Sequence, residues 1–161
     1  MYKSAKEMYF AYGCSEYNMK IDDVLSEYNK YNISLEQQAL WKKEYIDRLF
    51  SKLLETNDIR IFIELSAFSR GSTNTDILGK LIDYWVNSKK NDIEQEFLLS
   101  RTLFNAINPF AIKRKDRIAV KAIIILEDSF SRIQATSQIA ETNRKAQKIY
   151  NDLQKRKNYI D

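Results

Sequence analysis

The chain has 161 residues, 44% of them hydrophobic and 30% charged, with a net charge of +4. That size suits one domain whose core folds without cross-links, and the apolar fraction excludes intrinsic disorder. The single cysteine, Cys14, excludes an internal disulfide framework, and the lack of histidine removes the usual general base and the commonest transition-metal ligand.

Glycine occurs 3 times and proline once. Average usage would give roughly 11 and 8. Strand-rich folds consume both residues in turns, so their scarcity points to few, long elements. The expected fold class is all-α: an irregular bundle of six to seven helices, or a helical-hairpin array, with a long C-terminal helix. Residues 1–161 read as a single all-helical domain. It has aromatic-rich N-terminal helices over 1–33, central helices over 34–108 and a long basic helix over 112–160.

In chain order, Tyr2 to Tyr12 reads as a short helix that Gly13 stops as a C′ residue. Cys14 to Lys20 reads as a loop or an extra turn. Asp22 and Asp23 are expected to open a helix to about Asn29, since acidic side chains favour a first turn. Ser34 followed by Gln37 forms an S-x-x-Q capping box, and a helix from Leu35 to about Glu55 follows. Asn57 is expected to cap a helix over Asp58 to Ser69. Its Ile59, Ile61 and Ile63 alternate partly like a strand, but Phe62, Leu65 and Phe68 fit a helical face and Gly71 stops it.

Gly71 to Thr75 is the clearest loop. Asn74 or Thr75 caps a helix to about Asn87, with Ile77, Leu78, Leu81, Ile82 and Trp85 as its apolar set. Asn91 is expected to cap a helix from Asp92 to about Ile107, which Pro109 ends. No glycine or proline occurs in the 52 residues after Pro109. A helix starting near Arg114 or Asp116 would span roughly 60 Å if unbroken to Asn158. Ala119, Ile123, Leu126, Phe130 and Ile133 make its first half core. The pattern weakens over 136–143, where a break is the alternative. It resumes at Ala146, Ile149, Leu153 and Ile160, read as a protruding or partly coiled-coil tail with an exposed seam.

Residues 1–100 carry 13 Lys/Arg and 16 Asp/Glu, a net of −3, while residues 101–161 carry 13 and 6, a net of +7. The excess falls in two clusters. One is Lys113, Arg114, Lys115, Arg117 and Lys121; the other is Arg144, Lys145, Lys148, Lys155, Arg156 and Lys157. Such clusters suit nucleic-acid phosphates, and they equally suit a solvated helix end opposing the dipole. No helix-turn-helix, zinc-finger or ribonucleoprotein motif accompanies them.

Seven of the ten tyrosines lie in the first 45 residues. Tyrosine suits interface hot spots, so Tyr9, Tyr12 and Tyr17 are candidate contact residues beside the seam residues Ile149 and Leu153. The bland reading, a lid of rings over the core, carries more weight. The carboxylates Asp22, Asp23 and Glu27 could share one helical face, as could Asp92 and Glu96, and such groups could bind Mg²⁺, but helix capping accounts for them as well. Paired E-x-x-E motifs are missing. Cys14 has no partner base and reads as a small, partly buried side chain.

The leading expectation is a non-enzymatic protein–protein interaction module: a small adaptor, inhibitor or immunity-type protein without cofactor or metal. Its partner would be another protein, or a second copy through the C-terminal helix. The alternative is a nucleic-acid-binding protein using the basic C-terminal clusters; a metal-dependent nucleotide hydrolase comes third. The N-terminus lacks the apolar core of a signal peptide. The longest apolar run, Ala122 to Leu126, falls far short of the ~20 residues that span a bilayer. A cytoplasmic location without a membrane partner is expected. Abundant Ile, Lys, Asn and Tyr resemble the products of AT-rich bacterial genomes or their mobile elements.

Overall fold

Ser34 starts the longest helix, as its capping signature predicts. In the computed structural model, which describes residues 3–90 and 92–160, the Ser34 hydroxyl accepts the Gln37 N–H at 3.2 Å. Helix α4 then runs Leu35–Thr56. Three short helices precede it: α1 (Ala5–Ala11), α2 (Glu16–Ile21) and α3 (Leu25–Asn29). Six follow: α5 (Ile59–Gly71), α6 (Asp76–Asn87), α7 (Ile93–Ala106), α8 (Pro109–Lys113), α9 (Arg117–Thr136) and α10 (Ala140–Lys157). The fold is all-α, and the described residues form ten helices rather than six or seven. The surplus comes from the short helices α2 and α8, which carry too few apolar positions to show a period, and from the break that separates α10 from α9.

The described residues group into two compact units, one up to Glu55 and one from Thr56 onward. In the first, Met8, Tyr9, Met19 and Tyr28 are buried together, flanked by the partly buried Phe10, Trp41 and Tyr45. Tyr9 stacks on Tyr28 at 5.7 Å between ring centroids and meets Trp41 at 6.2 Å. Lys6 Nζ bonds Glu44 at 2.6 Å, tying α1 to α4. Met1 and Tyr2 lie outside the described residues.

Two turns in this unit share one geometry. Gly13 has φ 60°, and Cys14 N–H returns to Tyr9 O at 2.8 Å. Asp23 has φ 63°, and Val24 N–H returns to Met19 O at 2.9 Å. Both are Schellman stops with a left-handed C′ residue. Asp22 and Asp23 therefore end α2 and do not open a helix. A non-glycine C′ residue hid this stop from sequence.

In the second unit α7 is the central helix, packing against α5, α6, α9 and α10. Asp58, not Asn57, caps α5, accepting Arg60 N–H at 2.9 Å, while Asn57 is left-handed at φ 53°. Asp92 caps α7, accepting Gln95 N–H at 2.7 Å; Asn91 lies outside the described residues. Pro109 begins α8 as well as following α7, because a proline at N1 needs no N–H partner.

The long C-terminal helix breaks at Ser137–Ile139, within the span where its period weakens. α9 buries Ala119, Ile123, Leu126, Phe130 and Ile133, the face its spacing predicts. α10 folds back onto α9 and α7 instead of protruding. Leu153 is fully buried, so the seam of Ile149, Leu153 and Ile160 is not an exposed stripe. Among the described residues, no helix is long and apolar enough to cross a membrane.

Candidate nucleic-acid interface

The two basic clusters meet different fates. In α10, Arg144 and Lys145 both pair with Glu141, at 3.0 and 3.1 Å. These contacts hold the Glu141 carboxyl down at about 2. Lys155 pairs with Asp152 at 3.3 Å, and Lys157 with Glu127 at 2.8 Å. The Lys157 ammonium, helped by Gln154, keeps the Glu127 carboxyl below the usual range. Arg156 lies against the Phe104 ring, 4.0 Å from its centroid, and burial pulls its guanidinium pKa down. Lys148 remains exposed. Most of this cluster is thus engaged inside the protein: Arg144, Lys145 and Lys155 pair within α10, while Lys157 and Arg156 join α10 to α9 and α7.

The first cluster occupies the turn from α8 to α9. Lys115 has φ 55°, and Asp116 N–H returns to Ala111 O at 2.9 Å, a third Schellman stop. Asp116 then caps α9, its carboxylate accepting Ile118 N–H at 2.9 Å and Ala119 N–H at 3.2 Å. Ala111, Ile112 and Ala119 are buried, and the basic side chains between them face outward. Lys113, Arg114, Lys115 and Arg117 are all exposed. None of the four has a carboxylate partner among the described residues. Arg114 reaches a carbonyl instead, donating to Thr73 O at 2.8 Å. Lys121, one turn into α9, lies 3.8 Å from Asp83, a loose surface pair.

Phe110 stands in the same patch and is 67% exposed. Its N–H is capped by Asn108 Oδ1 at 2.9 Å. Asn108 Nδ2 in turn donates to Ser72 O at 2.8 Å and to Arg70 O at 3.1 Å. The ring therefore projects from backbone held by α5 and its following loop. Lys113 Nζ lies 5.9 Å from the ring centroid. Sequence reading named the four cations but missed Phe110; Pro109 at N1 beside an aromatic was the available signal.

The other candidates are distributed elsewhere. Tyr9 is buried, which removes it from any surface, and Tyr12 is half-buried. Tyr17 is 72% exposed, with Ile21 at 65% one turn along α2. Leu153 is core and Ile149 half-buried. Cys14 is buried.

The carboxylates read as metal candidates have structural partners. Asp22 and Asp23 form the α2 stop, and Asp92 is a cap. Glu96 lies inside the second unit and takes bonds from Ser129 and Arg132. No group of three or more Cys, Asp or Glu side chains is placed to hold a metal ion among the described residues.

A polar cleft of about 270 Å³ opens where α5 and α7 begin and α6 ends, lined by Asn57, Tyr84 and Lys89 among others. It lies at the opposite end of these helices from the basic turn, which adjoins the α5 C-terminus. Comparison with protein-family models, curated proteins and solved structures finds no match to this chain.

Proposed function

We propose that this chain is a binding module for nucleic acid, with the α8–α9 turn as its recognition surface. The carrying observation is the concentration of exposed, unneutralised charge at Lys113, Arg114, Lys115 and Arg117. Cations already satisfied by carboxylates contribute little to a polyanion, whereas free ones release counterions on binding. The α10 cluster, larger in sequence, thereby becomes the minor contributor.

The test is fluorescence anisotropy with labelled DNA and RNA at about 50 mM salt, where phosphate-driven binding is strong. The charge-removal variant is Lys113→Glu, Lys115→Gly, Arg117→Glu. Glycine suits the left-handed position, and glutamate suits the first turn of α9. Arg114 stays because it holds Thr73. Binding is expected to collapse in this variant and to survive in Lys148→Glu, Lys155→Glu. A wild-type chain that leaves both probes unbound sinks the proposal.

A second reading, a protein partner, is supported by Tyr17 and Ile21 side by side on α2. A large exposed apolar pair is the kind of anchor that partner pockets take. A nuclease-treated pull-down should then lose a stoichiometric partner on Tyr17→Ala, Ile21→Ser. If the double variant retains the same partner, α2 is not the contact.

A further inference from the structure

We propose that the nucleic acid is single-stranded and that Phe110 is the platform on which one unpaired base stacks. This deepens the reading of the α8–α9 turn and rests on it. Base–aromatic stacking on a cationic surface is the general device for binding unpaired strands, because every base offers a π-face and a duplex hides it.

Three observations carry the inference. First, Phe110 is exposed although its helix buries the two residues after it, Ala111 and Ile112, at 1% and 2%. The ring is thus kept out of the core while its own backbone is anchored. Second, the backbone of this five-residue helix is anchored at both ends. Pro109 fixes φ at the start, and Asn108 caps the Phe110 N–H at 2.9 Å. Arg114 N–H closes the far end on Phe110 O at 3.1 Å. A ring on rigid backbone loses little entropy when a base settles on it. Third, the free cations follow Phe110 within the next seven residues, so a strand stacked on the ring has phosphate partners beside it.

The duplex alternative fits less well. α8 is too short to read a groove. The exposed side of α9 continues from Arg117 and Lys121 to Ile124 and Asp128. Laying that face along a major groove would press the Asp128 carboxylate towards phosphates.

The test compares a labelled oligothymidylate with a duplex of the same length, with inorganic polyphosphate as competitor. The wild-type chain should bind the single strand at least about fivefold more tightly, the lower end for one stacked base. Phe110→Ala should remove that preference while leaving the salt slope unchanged. Four phosphate contacts correspond to a slope of about −3 for a single strand. Phe110→Trp should restore the preference, which separates loss of the ring from loss of the fold.

Equal affinity for the two probes, unaffected by Phe110→Ala, overturns the single-strand inference and leaves the nucleic-acid reading standing. The same holds if polyphosphate displaces the oligonucleotide as well as an unlabelled copy does. No binding to any probe overturns both.

Discussion

Ser129 Oγ donates to Glu96 Oε1 at 2.9 Å in the interior of the second unit, where neither residue is more than 7% exposed. That bond fixes the direction of a chain of donors. Trp85 Nε1 gives to Ser100 Oγ at 3.1 Å, Ser100 gives to Ser129 at 2.8 Å, and Arg132 closes on Glu96 from the solvent side. Helices α6, α7 and α9 are joined by one continuous polar thread. Removing the carboxylate leaves a buried hydroxyl and a cation unmatched. Glu96→Ala should therefore cost about 2 kcal/mol in urea denaturation, mostly from the buried Ser129 hydroxyl left without its acceptor. Glu96→Gln, which still accepts from Ser129, should cost less. A loss below about 1 kcal/mol for Glu96→Ala would show that Ser129 and Arg132 find other partners.

The folded-back position of α10 makes Leu153 a core residue. Leu153→Ala should lower stability by about 3 kcal/mol, and Ile149→Ala by about 1 kcal/mol, since Ile149 is only half-buried. Matching effects in denaturant melts would mean that α10 does not dock through Leu153.

Gly13 occupies a left-handed position at φ 60°. A Cβ there is disfavoured, so Gly13→Ala should destabilise the first unit by about 1–2 kcal/mol. Cys14→Ala needs the same left-handed backbone already adopted by a residue with a Cβ, and should cost less. Thermal melts of the two variants make the comparison.

Burial, followed by the neighbouring Cys14 and Tyr28, pushes the Tyr9 phenol up to about 12 from its ordinary 10. The fold therefore favours the protonated ring. Its contribution is complete below pH 10 and is lost as pH rises towards 12. Denaturation midpoints should fall across that window. Tyr9→Phe keeps the stack on Tyr28 and should flatten the fall; an unchanged profile would assign the alkaline loss to other groups.

The parts of the fold legible in sequence are those set by local chemistry. The Ser34 cap and the Ala119–Ile133 face each depend on residues within one helix. Signals fail where geometry replaces residue type. Asp23 and Lys115 perform a stop usually given to glycine, so two helix ends were misplaced or unseen. Leu153 shows another limit: periodicity identifies an apolar face but not what covers it. The basic clusters show a third. Counting charge found both, while the carboxylates that neutralise the α10 cluster come largely from spacing and from α9. Glu127 meets Lys157 across 30 positions of chain. The free set at the α8–α9 turn could be sorted from the paired set only in three dimensions.

The tryptophans have a practical consequence. The chain has two. Trp41 touches Tyr9 in the first compact unit, and Trp85 bonds Ser100 in the second. Each unit thus carries its own optical reporter. Trp41→Phe leaves emission that follows only the second unit, and Trp85→Phe emission that follows only the first. Two unfolding curves recorded this way would coincide if the halves melt as one cooperative body and separate if they melt independently.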